Sequence, residues 1–129
     1  MTLLLDTHAF FWSVRRGTSV PRAVAQALNN APRRLVSDVS AFEVALKVRL
    51  GKFPDAAALR DQWKQALAAL PALPLPVTTD HALLAGSLDW EHRDPFDRLL
   101  AAQAVTENLT LVTTDKAFAS VPGLSILRW

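Results

Sequence analysis

Short apolar runs alternate along this chain with longer stretches rich in Ala, Leu and charged residues. Leu3, Leu4 and Leu5 form the first run, too short for a helix and suited to a buried strand over Thr2 to Asp6. A helix follows from Thr7, capped by Asp6 or Thr7 and ended at Gly17, with Arg15 and Arg16 in its last turn. Ser19 and Pro21 open a second helix that reaches Asn30 and is closed by Pro32. Arg34 to Ser37 reads as the second strand. The next helix, capped by Ser37 or Asp38, ends at Leu50 before Gly51. Asp55 to Leu70 reads as one further helix, and Leu73 to Val77 as an edge strand because of its prolines. Helices over Thr79 to Asp89 and Pro95 to Glu107, a strand over Thr110 to Thr114, a short helix over Asp115 to Ser120 and a last strand, LSILRW, complete the series.

The strands are apolar along their whole length, not at every second residue. That pattern, with helices between strands, predicts a parallel sheet covered on both faces. The expected fold class is α/β, one layered sandwich over residues 1–129 with no linker or second domain.

Composition narrows the chemistry. The 129 residues include no cysteine, which excludes disulfides, thiolate nucleophiles, zinc fingers and iron–sulfur clusters. His8, His81 and His92 are too scattered for a His-rich metal site. The longest uncharged stretch, Gln65 to Thr79, contains Pro71, Pro74 and Pro76 and is shorter than a membrane span of about 20 residues. No Lys or Arg precedes Asp6, unlike a signal peptide. The expectation is a soluble, cytoplasmic protein with no membrane partner.

Ligands of open α/β sheets bind beyond the carboxyl ends of the strands. Asp6 and Asp115 fall at such ends, and Glu43 and Asp97 lie early in helices that reach the same crevice. Each has a plainer reading. Asp6 and Asp115 stand at N-cap positions, Asp94 caps the helix in which Asp97 lies one turn on, and Glu43 is placed for a surface ion pair with Lys47. Against that last reading, Glu43 shares a helical face with Val39, Phe42, Leu46 and Leu50, expected to point to the core, where a carboxylate needs a partner such as a metal. The tetrapeptide VTTD occurs twice, ending at Asp80 and at Asp115, so it does not by itself mark a catalytic acid.

Whole segments resemble the PIN-domain ribonucleases, and among them the VapC-type toxins of toxin–antitoxin pairs. They are LLLDTHAFFW, SAFEVALKVRLGK, LPLPVTTDHALLAG, HRDPFDRLLAAQA and LTLVTTDKAF, in order over nearly the full chain. The resemblance implies a PIN-like α/β/α sandwich with a central, mostly parallel sheet of about five strands. It implies an endoribonuclease dependent on Mg²⁺, with Mn²⁺ as substitute, whose acids are Asp6, Glu43, Asp97 and Asp115. Asp6 and Asp97 would be the principal metal ligands and Asp115 a further one, with Glu43 holding or deprotonating the attacking water. Asp80 falls in the other VTTD copy. The implied partners are RNA, a cognate antitoxin that blocks the cleft, and a second copy of the chain in a homodimer.

Charge fits a polyanionic substrate once those acids are set apart. The 14 basic residues then face eight remaining acids, a balance of +6. Arg98 and Lys116 are the basic residues placed beside the crevice, for RNA phosphate or for pairing with the acids. Phe10, Phe11 and Trp12 read as core or dimer surface; Trp63 and Trp90 carry no readable role. Two alternatives stay open: a catalytically inactive PIN domain that only binds, and a receiver-type signalling domain with an acidic Mg²⁺ pocket.

Overall fold

The fold is described from a computed structural model, over residues 1–15 and 20–129. The expectations placed on Arg16, Gly17 and Ser19 lie outside the described residues.

The three leucines of the first run form β1 (Leu3–Leu5), fully buried. Helix α1 (Thr7–Val14) follows at once, with Arg15 as its C-cap and not in its last turn. Then come α2 (Arg22–Asn30), β2 (Arg34–Ser37) and α3 (Asp38–Arg49). The helix expected over Asp55 to Leu70 is broken. A 3₁₀ turn at Pro54–Ala56 leads into α4 (Ala57–Asp61), and Gln62 separates it from α5 (Trp63–Ala69). The rest is β3 (Leu73–Leu75), α6 (Thr79–Ser87), α7 (Pro95–Thr106), β4 (Thr110–Thr113), a 3₁₀ segment at Lys116–Ser120 and β5 (Ser125–Arg128).

All five strands pair in parallel, in the order β3-β2-β1-β4-β5. The proline-bearing β3 lies at an edge, where a missing N–H costs least. The order also sets the fold apart from a receiver-type sheet, which runs 2-1-3-4-5.

Full-length apolarity has its reason in the two cores. Leu3, Leu5, Val36 and Val112 face a cluster with Phe10, Phe11 and Val44, while Leu4, Leu35 and Leu111 face another with Leu100, Ala101 and Phe118. Successive strand residues point to opposite faces, and each face has its own helices to meet. The chain leaves β1 for β2 on one side and later returns to β4 on the other. The order therefore reverses at β1, and a crevice opens beyond the carboxyl ends of β1 and β4. Among the described residues, no helix is long and apolar enough to cross a membrane.

Candidate active site

Asp6 is the first residue after β1. Its backbone N–H continues the sheet, donating to Val112 O at 2.9 Å, and its Oδ1 caps α1 by accepting from Ala9 N at 2.8 Å. Its Oδ2 accepts from the Thr113 hydroxyl at the end of β4. The capping reading is thus correct, yet it uses only one oxygen and leaves the carboxylate at the mouth of the crevice.

Glu43 reaches the same place from α3. It is 3% exposed, a cost met by specific partners. Oε1 accepts from Thr7 Oγ1 at 2.6 Å, with the Ser40 hydroxyl 2.9 Å from that of Thr7, and Oε2 takes the Lys47 ammonium. The pair with Lys47 is the expected i,i+4 pair but does not lie on the outer surface, since Lys47 itself lines the cleft. The face expected to point inward is also corrected. Val39, Ser40, Glu43 and Val44 are buried, whereas Phe42 is 60% and Leu50 49% exposed. Turning Phe42 inward would rotate Glu43 away from Thr7 of α1; Phe42 rests instead edge-on to Phe96 of α7.

Asp94 caps α7 through Asp97 N at 3.0 Å, and Asp97, one turn on, receives His92 Nε2 at 2.7 Å on Oδ2. Asp115 caps the 3₁₀ segment, accepting from Ala117 N at 2.9 Å, while its own N–H donates to Thr113 Oγ1 at 2.9 Å. Thr113 therefore ties the Asp6 carboxylate to the backbone of Asp115.

The four expected acids line one cleft of about 290 Å³, with Asp94, Lys47, His8 and His92 in the same wall. Burial pushes the Asp6 carboxyl up to about 6; the Thr113 and Ala9 hydrogen bonds work against this, and Glu43 and Asp115 add to it. Burial likewise takes Asp97 up to about 6, opposed by His92 and reinforced by Asp94 and Glu43. Oxygen-only donors of this kind suit a hard divalent ion in type. Among the described residues no three acidic or histidine side chains stand together at metal-binding distances. Each carboxylate is turned to the local partner named above.

Arg98 is not where a phosphate contact requires it, nor does it pair with the acids. Its Nε donates to Ala85 O, NH1 to Trp90 O and His92 O, and NH2 to Leu88 O, at 2.7–3.0 Å. Those carbonyls belong to the end of α6 and the segment after it, which has no ladder to satisfy them. Lys116 is exposed beside Asp115. Phe10 and Phe11 are buried inside the chain and so supply no dimer surface. Sequence reasoning missed Thr7, Thr113 and His92 and placed Lys47 on the outside. The available signal was proximity in sequence to the acids, as for Thr7 directly after Asp6 and Thr113 two residues before Asp115.

The chain is similar to known proteins over nearly its whole length. The family model for the PIN domain matches residues 3–124. Ribonuclease VapC22 of Mycobacterium tuberculosis is 30% identical over 120 residues, covering 92% of this chain and 91% of that protein. Among solved structures, VapBC2 from Rickettsia felis bound to a promoter DNA fragment aligns with a TM-score of 0.71 at 20% identity, over 100% of this chain and 99% of that one. FitAcB from Neisseria gonorrhoeae aligns at 0.68 and 21% identity, over 97% and 96%. At such identities these structures bear on the fold. The family match, with a VapC relative aligned along nearly the whole length, removes the receiver-type alternative: the chain belongs to the PIN-domain family, in its VapC group.

Proposed function

We infer that this PIN domain is an endoribonuclease, the toxin of a toxin–antitoxin pair, which hydrolyses RNA phosphodiester bonds at the cleft of Asp6, Glu43, Asp97 and Asp115. The observation that carries the reading is the meeting of four carboxylates from separate elements in one cleft, in a chain 30% identical to a ribonuclease. The donor set fits Mg²⁺, or Mn²⁺ in its place, and when bound such an ion supplies charge for the phosphoryl oxygens and a lowered pKa for its water. Asp6 and Asp97 would be its principal ligands and Asp115 a further one, direct or through water.

The remaining roles belong to the chain itself. Glu43 orients the attacking water and accepts its proton at a carboxylate oxygen, while Lys47 keeps that carboxylate in place. Lys116, exposed at the rim, meets RNA phosphate. Arg98 acts indirectly, by holding the segment that carries His92. The cognate antitoxin covers the cleft. A homodimer would use exposed apolar residues such as Phe42 and Leu50 and not Phe10 or Phe11.

The test is cleavage of a mixed, structured RNA by purified protein, with Mg²⁺ or Mn²⁺ and with chelator, beside Asp6→Asn and Asp97→Asn. Metal-dependent cutting lost in both folded variants is expected. Cutting retained in either variant removes that residue from the site. No cutting together with no saturable Mn²⁺ binding would replace the enzyme by an inactive PIN domain that only binds.

A further inference from the structure

Three aromatic rings lead from the core to the lip of the cleft. Phe118 is buried in the core; Trp90 leans on it with centroids 5.4 Å apart, and His92 leans on Trp90 at 4.7 Å, each pair tilted by 36°. Trp90 is fixed further by Nε1 donating to Ser120 Oγ at 3.2 Å. The outermost ring, His92, is a wall common to the acid cleft and to two open hollows beside it. One hollow is completed by Trp90, Glu91, Arg93 and Arg98, the other by Asp89, Trp90, Glu91, Ala117 and Ser120.

The segment that carries Trp90 and His92 belongs to no helix or strand, yet three of its carbonyls, at Leu88, Trp90 and His92, are tied to the single guanidinium of Arg98. Filling the core beneath the segment requires only Trp90 on Phe118. It does not require a second, half-exposed ring on Trp90, nor a loop held so firmly. A preorganised aromatic surface loses little conformational freedom when a flat ligand settles on it.

We propose that Trp90 and His92 form a stacking subsite for an unpaired nucleobase of the RNA, next to the phosphate cleaved at the acid cleft, with exposed Arg93 toward the backbone. The inference rests on the nuclease reading and adds a base-binding surface beside its cleft; the base is an unpaired one, since a base inside a duplex offers no free face. It also supplies what the cleft lacks. Carboxylates repel an RNA backbone, and a stacked base anchors the strand beside them without relying on charge.

The test uses Asp6→Asn protein in chelator and a labelled single-stranded RNA decamer of mixed sequence, read as Kd by fluorescence anisotropy. Two further substitutions separate ring from hydrogen bond. His92→Phe keeps a ring and loses the bond to Asp97; His92→Gln keeps a polar partner for Asp97 and loses the ring. His92→Gln should weaken binding about 5- to 50-fold, as loss of one base–aromatic contact does, and by the same factor at ~50 and ~200 mM salt. His92→Phe should stay within about twofold of the parent, and Trp90→Leu, checked for folding by its melt, should follow His92→Gln. The reverse order, Gln retaining affinity and Phe losing it, assigns His92 to positioning Asp97 alone and overturns the subsite. So does equal, measurable affinity in every variant. If the parent binds no RNA at low salt, the nuclease reading fails and takes the subsite with it.

Discussion

The two copies of Val-Thr-Thr-Asp have opposite fates. In the copy ending at Asp80, the first threonine, Thr78, is the N-cap of α6. Its hydroxyl accepts from His81 N at 3.3 Å, and its own N–H donates back to His81 Nδ1 at 3.0 Å. Asp80 then lies exposed in the first helical turn. In the copy ending at Asp115, the first threonine, Thr113, is still the last residue of β4, buried, and binds Asp6; the aspartate is the cap. A two-residue difference in where the helix starts sends one hydroxyl to a local backbone and the other to a carboxylate 107 positions away. What a short motif does is set by where its strand stops and what lies beside that end.

Breaking the contrast at the acids should give the largest effect. Asp6→Asn should lower metal-dependent cleavage about 10³-fold and Asp115→Asn about tenfold or more, by removing charge where an ion binds, while Asp80→Asn leaves the rate unchanged in the same RNA assay. Equal losses at Asp80 and Asp115 would erase the distinction between the copies.

The next effect is on stability against pH. Asp6 holds its proton more tightly in the folded chain than in the unfolded one, where its value is 3.8. The native state thus binds more protons, so stability present below pH 3.8 is lost as pH rises through about 6. Asp97 has the same sign. In chelator, the melting temperature should fall between about pH 4 and 7, with Asp6 contributing about 3 kcal/mol, and level off above. Mg²⁺ should recover part of the loss at pH 7. Asp6→Asn should make the profile shallower and leave the part due to Asp97; an unchanged profile would remove Asp6 as a source.

Smaller still is the exchange of the two threonines. Thr113→Val strips the donor from a buried carboxylate and should cost about 1–3 kcal/mol in denaturant melts, with cleavage reduced. Thr78→Val removes a helix cap for about 1 kcal/mol and should leave cleavage intact. Loss of cleavage in Thr78→Val without unfolding would show that the first copy also feeds the site.

Much of this architecture was legible from local pattern. A triple leucine ending in Asp reads as a buried strand meeting a cap, and prolines every second residue put β3 at an edge, because each feature acts on its own neighbours. Four acids at strand ends or first helical turns could likewise be gathered into one crevice by the parallel-sheet rule and by family resemblance. Side-chain partners were not legible where they are chosen across the fold. Nothing near Arg98 in sequence announces that its guanidinium is taken by carbonyls from Ala85 to His92. Nothing in the apolar spacing of α3 says that Glu43 turns inward while Phe42 turns out, since Thr7, which makes that burial possible, comes from another helix. The break at Gln62 was hidden because Ala, Leu and Gln all favour helix and no proline or glycine marks the stop.

Sheet order also has a consequence in time. β1 is made more than a hundred residues before one of its two partners, β4, which begins at Thr110, and Asp115 lies beyond that. The hydroxyl that holds Asp6 is made more than a hundred residues after Asp6 itself. Contacts of such long sequence separation close late and slowly. A growing chain therefore carries Asp6, Glu43 and Asp97 without the strand that brings them into one cleft. Whatever this cleft does to RNA, it cannot begin on the transcript being read until β4 and Asp115 have been synthesised.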